Sequence, residues 1–226
     1  MRKYLTIKKV LIDSVALYKS HFLYLTLFIG VVVMSNYFTE FKGEFSVIQA
    51  LFMLLYFFLN ILVEMISTEL VASSYLYDEF VISNNIKQNI RRILPFTLFM
   101  VLGQLAVVLG FLVFIIPGVL ALPLFYMIKI DYIVTKSDFK TSFRKILKLM
   151  GKKHLFEILK IMSIPALLIF LGAEFLYKEI LNGNDNIQLL LTLVILLLKP
   201  IGVCFNTSIY FNLIKESELE STNQLV

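Results

Sequence analysis

The sequence predicts an all-α integral membrane protein with six transmembrane helices. Two observations concern composition: 59% of the 226 residues are apolar and only 16% are charged, against about 25% charged in an average soluble domain. The mean hydropathy of +0.84 shows more apolar residues than a soluble protein of this length needs to form its core. The third observation is that apolar runs long enough to cross a bilayer recur six times.

The six runs lie at about 22–39, 46–70, 95–116, 118–135, 155–177 and 187–213. The second run is expected to continue as helix to about Tyr77. Only Pro117 and Gly118 separate the third and fourth runs, which predicts a tight turn and a hairpin with almost no loop.

The distribution of basic residues predicts the orientation. If the N-terminus faces the cytoplasm, sixteen of the 21 lysines and arginines fall in cytoplasmic segments. The external loops then hold only Lys42 and Lys178. This asymmetry is the positive-inside pattern, so both termini are expected in the cytoplasm of a bacterial cell and the protein in its plasma membrane.

A basic amphipathic segment precedes each odd-numbered span, at about 4–20, 82–94 and 138–151. Apolar residues spaced by three or four form one stripe on each segment, with lysine and arginine opposite. A helix of this kind lies in the membrane interface. The predicted unit is an interfacial helix followed by two spans, used three times in one domain of residues 1–214, with a polar tail at 215–226.

The basic faces of the second and third segments are a candidate surface for anionic lipid headgroups or a cytoplasmic partner. A basic residue near an anionic leaflet contributes about 1 kcal/mol to binding. The alternative is that these faces only orient and anchor the bundle. The residues concerned are Lys87, Arg91, Arg92, Lys140, Arg144, Lys145, Lys148, Lys152 and Lys153.

Ionisable residues inside the spans are the other candidates, because each costs roughly 2.5–3.5 kcal/mol at a helix centre. From the rise per residue, all of them fall in the inner half of the bilayer. One interpretation is interhelical pairing, of Glu64 with Lys129 or Asp131 with Lys199, or snorkelling toward the headgroups. The other is a polar site between spans two, four and six that opens to the cytoplasm. The proposed cluster comprises Asn60, Glu64, Lys129, Asp131 and Lys199.

The stretch from "IKQNIRRILPF" through the Pro-Gly turn to "PLFYMIKIDYIVTKSDFKTSFRKILKLMGKKHLFEIL" resembles a group of six-helix bacterial membrane proteins. That group includes the membrane domain of some glycerophosphodiester phosphodiesterases. The resemblance is sharpest from about 84 to 160 and implies the fold and the membrane location. It implies no phosphodiesterase activity, because a catalytic domain would follow the membrane domain and this sequence stops at Val226.

No pattern typical of a catalytic site, a cofactor site or a metal site occurs. His154 and Glu157 are three residues apart, but nothing supplies further metal ligands. We therefore expect a non-enzymatic protein without cofactor, metal or nucleic acid, acting as an accessory, regulatory, immunity or envelope-maintenance factor. It would act through lipid, a membrane-protein partner or a second copy of itself. The alternative is a transporter or lipid-handling protein that uses the polar cluster.

Overall fold

The computed structural model describes residues 5–37, 47–76, 80–113, 115–181 and 200–218, and all regular structure within these ranges is helical. The helices are α1 (Ile7–Tyr37), α2 (Val47–Leu76), α3 (Ile82–Val113), α4 (Ile115–Thr135) and α5 (Phe139–Leu181), and residues 200–218 form α6. Stretches of α2, α3 and α4 are long and apolar enough to cross a membrane: Ala50–Leu76, Ile82–Gly110 and Gly118–Thr135. The all-helical class is confirmed, with three candidate spans, and the count of six spans stays a prediction.

Two of the expected junctions between interfacial helix and span do not interrupt the helix. Residues 4–20 and 22–39 were expected to be separate, yet α1 is continuous from Ile7 to Tyr37. In the same way α3 runs through Pro95 without ending. Nothing near residue 21 breaks a helix, and proline is tolerated within membrane helices. At 1.5 Å per residue the 32 residues of α3 extend about 48 Å, so part of α3 must project beyond a hydrocarbon core of about 30 Å.

The reversal between α3 and α4 lies earlier than the sequence predicts. α4 already begins at Ile115, so Pro117 and Gly118 belong to its first turn and do not form the turn itself. Proline is favourable in a first helical turn, because the N–H that it lacks would have no helical partner there. In the described residues α3 ends at Val113 and α4 begins at Ile115.

The third expected junction does interrupt the helix. Gly151 has φ 39° and ψ 179° and divides α5 into residues 139–150 and 152–181. This positive φ favours glycine, since other residues meet a steric penalty there. The predicted end of the interfacial helix at residue 151 coincides with this break.

A three-residue turn joins α4 to α5. Lys136 closes α4 with φ 54°, a left-handed position usually taken by glycine, and its ammonium group donates a hydrogen bond to Oε1 of Gln88 on α3. Asp138 then caps α5, because its carboxylate accepts hydrogen bonds from the hydroxyl of Thr141 at 2.6 Å and from the amide of Thr141 at 3.2 Å. The turn is thus fixed at both ends.

One end of the bundle collects the basic segments, and we call it the basic end. There α2 and α4 end, α3 and α5 begin, and α1 and α6 pass alongside. Side-chain contacts between the helices define this level: His21 with Ser74, Glu69 with Asn89, Arg92 with Tyr132, and Tyr210 with Asp131. Contacts from Arg92–Tyr132 to Phe99–Phe125 also show that α3 and α4 are antiparallel.

The core lies between α4 and its neighbours, and the outer face of α3 is apolar. Met127, Ile130 and Ile133 of α4 are fully or almost fully buried, as is Met65 of α2. An exposed apolar face of this extent is typical of a surface that contacts lipid. On α3 the exposed residues are Leu94, Leu98, Val101, Leu102, Leu105, Val108, Leu109 and Leu112.

The cap of α5 leads to a pH-dependent prediction. The hydrogen bonds from the hydroxyl and the amide of Thr141 hold the pKa of Asp138 below its ordinary value. Asp138→Ala should therefore speed amide hydrogen exchange in the first turn of α5 at pH 7. Because the folded pKa is the lower one, the stabilisation is complete above the unfolded pKa and is lost as pH falls through the folded pKa. The wild type and D138A should converge in acid.

Hydrogen exchange followed by mass spectrometry, corrected for the intrinsic effect of pH, measures this. Asp138→Asn is the control, because asparagine also caps helices but does not ionise. D138N should keep slow exchange at neutral pH. Equal exchange of D138A and the wild type at pH 7 would show that the cap contributes nothing.

Candidate functional site

A buried ion pair joins α4 to α2. The side chain of Lys129 is almost fully buried, and its ammonium nitrogen lies 2.5 Å from Oε1 of Glu64. The same nitrogen lies 4.5 Å from the centre of the Tyr126 ring, within cation–π distance. The pairing considered from the sequence for Glu64 and Lys129 is therefore formed in the structure, and the lysine charge is neutralised.

A second buried charge joins α4 to α5 and α6. Asp131 is completely buried. Its Oδ1 accepts a hydrogen bond from the hydroxyl of Tyr210 at 2.6 Å and one from the ammonium group of Lys145 at 2.5 Å. Lys145 also donates to the Tyr210 hydroxyl at 3.3 Å. Within the described residues, Oδ2 of Asp131 has no hydrogen-bond partner.

Of the five residues proposed from the sequence, Lys129 and Asp131 do not share a contact region in the structure. Lys129 and Asp131 are two residues apart on α4, which places them on nearly opposite faces of a helix. Lys129 therefore faces α2, and Asp131 faces α5 and α6. Asn60 is half-buried on α2, one turn before Glu64, and Lys199 lies outside the described residues. The pairing of Asp131 with Lys199 therefore stays a prediction, and in the described residues Asp131 binds Lys145 and Tyr210.

Two members of the expected basic surface turn inward. The guanidinium of Arg92 donates to the backbone oxygen of Tyr132 at 2.6 Å and lies 4.5 Å from the centre of that ring. Lys145 binds Asp131, as described above. The side chains of Lys152 and Lys153 lie outside the described part of the chain. The residues that remain exposed are Lys87, Arg91, Lys140, Arg144 and Lys148.

A polar cavity of about 320 Å³ lies at the basic end between α2, the start of α3 and the end of α4. Glu69, Asn85 and Lys136 are among the residues that line it. Glu69 is buried and accepts a hydrogen bond from Nδ2 of Asn89 at 2.8 Å. Its other oxygen, Oε1, has no partner in the described part of the chain, which makes the carboxylate a candidate ligand-binding group.

The sequence reasoning missed Tyr210 and Glu69 as site residues. Glu69 lies at the end of the second predicted span, and α2 continues beyond it to Leu76. The predicted continuation of this helix to about Tyr77 was the signal that Glu69 would lie within the helix and be buried by its neighbours. No local pattern distinguishes Tyr210, whose role depends on α6 meeting α4.

The structure offers no metal centre in the residues it describes, where no three histidine, cysteine or acidic side chains gather. His154 and Glu157 lie 3.5 Å apart on α5, between Nδ1 and Oε2.

A scan against models of known protein families gives no match for this chain, and searches of curated proteins and of solved structures give no similar protein. The resemblance to the six-helix group stays a prediction. What the fold and the site define is a helical protein with apolar helices of membrane length, buried ion pairs and a basic end.

The pair of Lys129 and Glu64 predicts strong coupling. Lys129→Met leaves the half-buried carboxylate of Glu64 without its partner, and Glu64→Gln leaves the buried ammonium of Lys129 without its partner. Each change should lower stability by on the order of 3 kcal/mol. The double variant K129M/E64Q should lose clearly less than the sum, because neither charge is then left alone.

Thermal unfolding in detergent, with folded yield by size-exclusion chromatography, measures the three variants. Lys148→Met is the matched control, since it removes an exposed lysine from α5 and should change little. Additive losses in the double variant would mean that the ion pair does not hold α2 to α4.

Proposed function

We propose that this chain is a non-enzymatic multi-pass protein of the bacterial plasma membrane, with the basic end at the cytoplasmic face. It acts there as an accessory or regulatory factor, a class that includes immunity and envelope-maintenance roles, by engaging anionic lipid headgroups or a membrane-protein partner. The observation that carries the proposal is the exposed basic set of Lys87, Arg91, Lys140, Arg144 and Lys148.

The basic set supports lipid engagement because, in the described part of the chain, its charges lack the carboxylate partners that neutralise the inward-facing lysines. Lys129 and Lys145 have carboxylate partners at 2.5 Å, so their fields are largely cancelled. The exposed residues are free of such carboxylates in the described part of the chain. Each contributes about 1 kcal/mol near an anionic leaflet, and the attraction declines within a Debye length.

The apolar residues of the same helices support insertion into the interface. Ile90 and Leu94 of α3 are exposed, as are Phe139 and Phe143 of α5. Exposed apolar and basic residues on one amphipathic helix are typical of a segment that lies among headgroups. This combination supports hydrocarbon contact and anion attraction at one level of the bundle.

Lipid retention tests this proposal. The wild type, purified from membranes of phosphatidylcholine and phosphatidylglycerol, should retain the anionic lipid preferentially when bound lipids are identified by mass spectrometry. K87Q/R91Q/K140Q/R144Q/K148Q should lose most of this preference. The control K87R/R91K/K140R/R144K/K148R keeps all five charges and should keep the preference. An unchanged preference in the glutamine variant would contradict lipid engagement through this surface.

A second function is favoured by the cavity beside Glu69. The buried carboxylate of Glu69 has one oxygen without a partner among the described residues, and Lys136 lines the same cavity. This arrangement supports a transporter or lipid-handling protein. Functional polar groups at membrane depth commonly mark a substrate path. This alternative uses Glu69 and Lys136 in place of the five-residue cluster expected from the sequence.

Transbilayer movement of a fluorescent phospholipid, followed by dithionite quenching in liposomes, tests the alternative. Wild-type liposomes should move the lipid faster than empty liposomes, and Glu69→Gln should slow this movement, because intramembrane ionisable residues mark substrate paths. Glu218→Gln, an exposed change on α6, is the control and should not slow movement. If wild-type and empty liposomes behave alike, the alternative is wrong.

A further inference from the structure

An apolar groove of about 410 Å³ lies on the surface of the bundle between α3, α4 and the first turns of α5. Among the described residues, no charged side chain lines it. α3 contributes Leu98 and Ala106, α4 contributes Ala121 and Leu124, and α5 contributes Phe143. A groove of this composition offers nothing to a polar ligand, so its occupant must be hydrocarbon.

The floor of the groove depends on a close approach of α3 and α4. A β-carbon on Gly103 would lie 2.1 Å from Cε2 of Phe125, so only glycine lets this ring lie directly on α3. The ring also packs against Phe99, with centroids 5.4 Å apart. The two aromatic side chains form a fixed base beneath the groove.

The length of the groove distinguishes a lipid chain from a helix. Along α3 it extends from Pro95 to Val107, which is about 18 Å at 1.5 Å per residue. Half of a hydrocarbon core of about 30 Å is close to this value, whereas a partner helix would need the full thickness. The groove therefore matches one acyl chain of one leaflet.

Charge identifies the headgroup. Arg91 lies one turn before Pro95, and Lys140 and Arg144 each follow a phenylalanine of the groove; all three are exposed. Asp138 is the acidic residue nearest in sequence to these positions on α5, and its carboxylate is engaged by Thr141. The balance at this end of the groove is positive, which favours an anionic headgroup.

We propose that the groove binds one acyl chain of an anionic phospholipid, whose phosphate is held by Arg91, Lys140 and Arg144. The inference rests on the proposed engagement of anionic lipid and adds a discrete binding site to it. Loosely attracted lipid would exchange along the whole basic end. A lipid whose chain occupies the groove would be enriched at one side of α3.

Tryptophan fluorescence can locate that lipid, because the chain contains no tryptophan. Leu98→Trp places a reporter in the groove, and Val101→Trp places the control about one turn away on the same helix, at an exposed residue outside the groove. Each variant is reconstituted in phosphatidylcholine with a minor fraction of chain-brominated lipid. Brominated phosphatidylglycerol should quench L98W far more than brominated phosphatidylcholine does, with a local enrichment of about tenfold, and V101W should show no such preference.

Two further variants separate the groove from the charges. Ala106→Phe fills the groove and should reduce the enrichment seen by L98W to the level of V101W. Val108→Phe adds the same ring to the outer face of α3 and should leave the enrichment unchanged. R91Q/K140Q/R144Q should abolish it with the groove intact.

Each of the other possible results contradicts a specific part of the proposal. If L98W and V101W report equal enrichment that the charge variant abolishes, the proposed function stands and the groove site is wrong. If the charge variant changes nothing at either reporter, both are wrong. If oleate, which has a carboxylate and no phosphate, displaces the brominated lipid as well as unlabelled phosphatidylglycerol does, the ligand is not a phospholipid. If A106F does not fold, the comparison of L98W with V101W still decides the groove.

Discussion

The fold depends on the neutralisation of two opposite charges on α4. Lys129 and Asp131 lie on opposite faces of this helix, at a level where an unpaired charge costs roughly 2.5–3.5 kcal/mol. Glu64 of α2 satisfies the first, and Lys145 of α5 with Tyr210 of α6 satisfies the second. α4 therefore cannot be buried unless three other helices are in place around it.

The remaining helices join this centre through weaker contacts. α3 is held by its guanidinium contact with the backbone of α4 and by aromatic packing of Phe96 against Tyr132, with centroids 5.5 Å apart. α1 meets α6 through the amide of Asn212, which donates to Asp13 at 3.0 Å, and meets α2 through His21 and Ser74. In the described ranges α1 and α6 are thus attached through neutral donors, the amide of Asn212 and the hydroxyl of Tyr210 among them, whereas α2 and α5 are attached to α4 through ion pairs.

Hydropathy and periodicity predict much of the helical content, because they record which residues avoid water. The helical continuation past residue 70 and the break at Gly151 both follow from sequence. The continuity of α1 and α3 does not, since an amphipathic segment and a span can form one helix when no residue between them prevents it. The membrane depths estimated from the helical rise are similar for Glu64 and Lys129, which predicts that they can pair. The estimated depths of Lys129 and Asp131 are also similar, so depth alone places these two residues in one cluster. A helical angle of about 200° between residues two apart separates them. Lys145 was assigned to the surface because sequence does not reveal that α5 begins against the end of α4.

On both α3 and α5, an exposed basic residue is followed directly by a basic residue that contacts the core. The exposed surface and the core are therefore joined through adjacent residues of one helix. On α3, Arg91 is exposed while Arg92 binds the backbone of α4. On α5, Arg144 is exposed while Lys145 binds Asp131. Adjacent residues of a helix move together, so an anion that draws Arg91 or Arg144 outward acts directly on the contacts of Arg92 and Lys145. Under the proposed function, occupation of this surface by anionic headgroups would therefore be linked to the packing of α4 through these two helix turns, because the ion pair of Lys145 with Asp131 weakens as its charges separate.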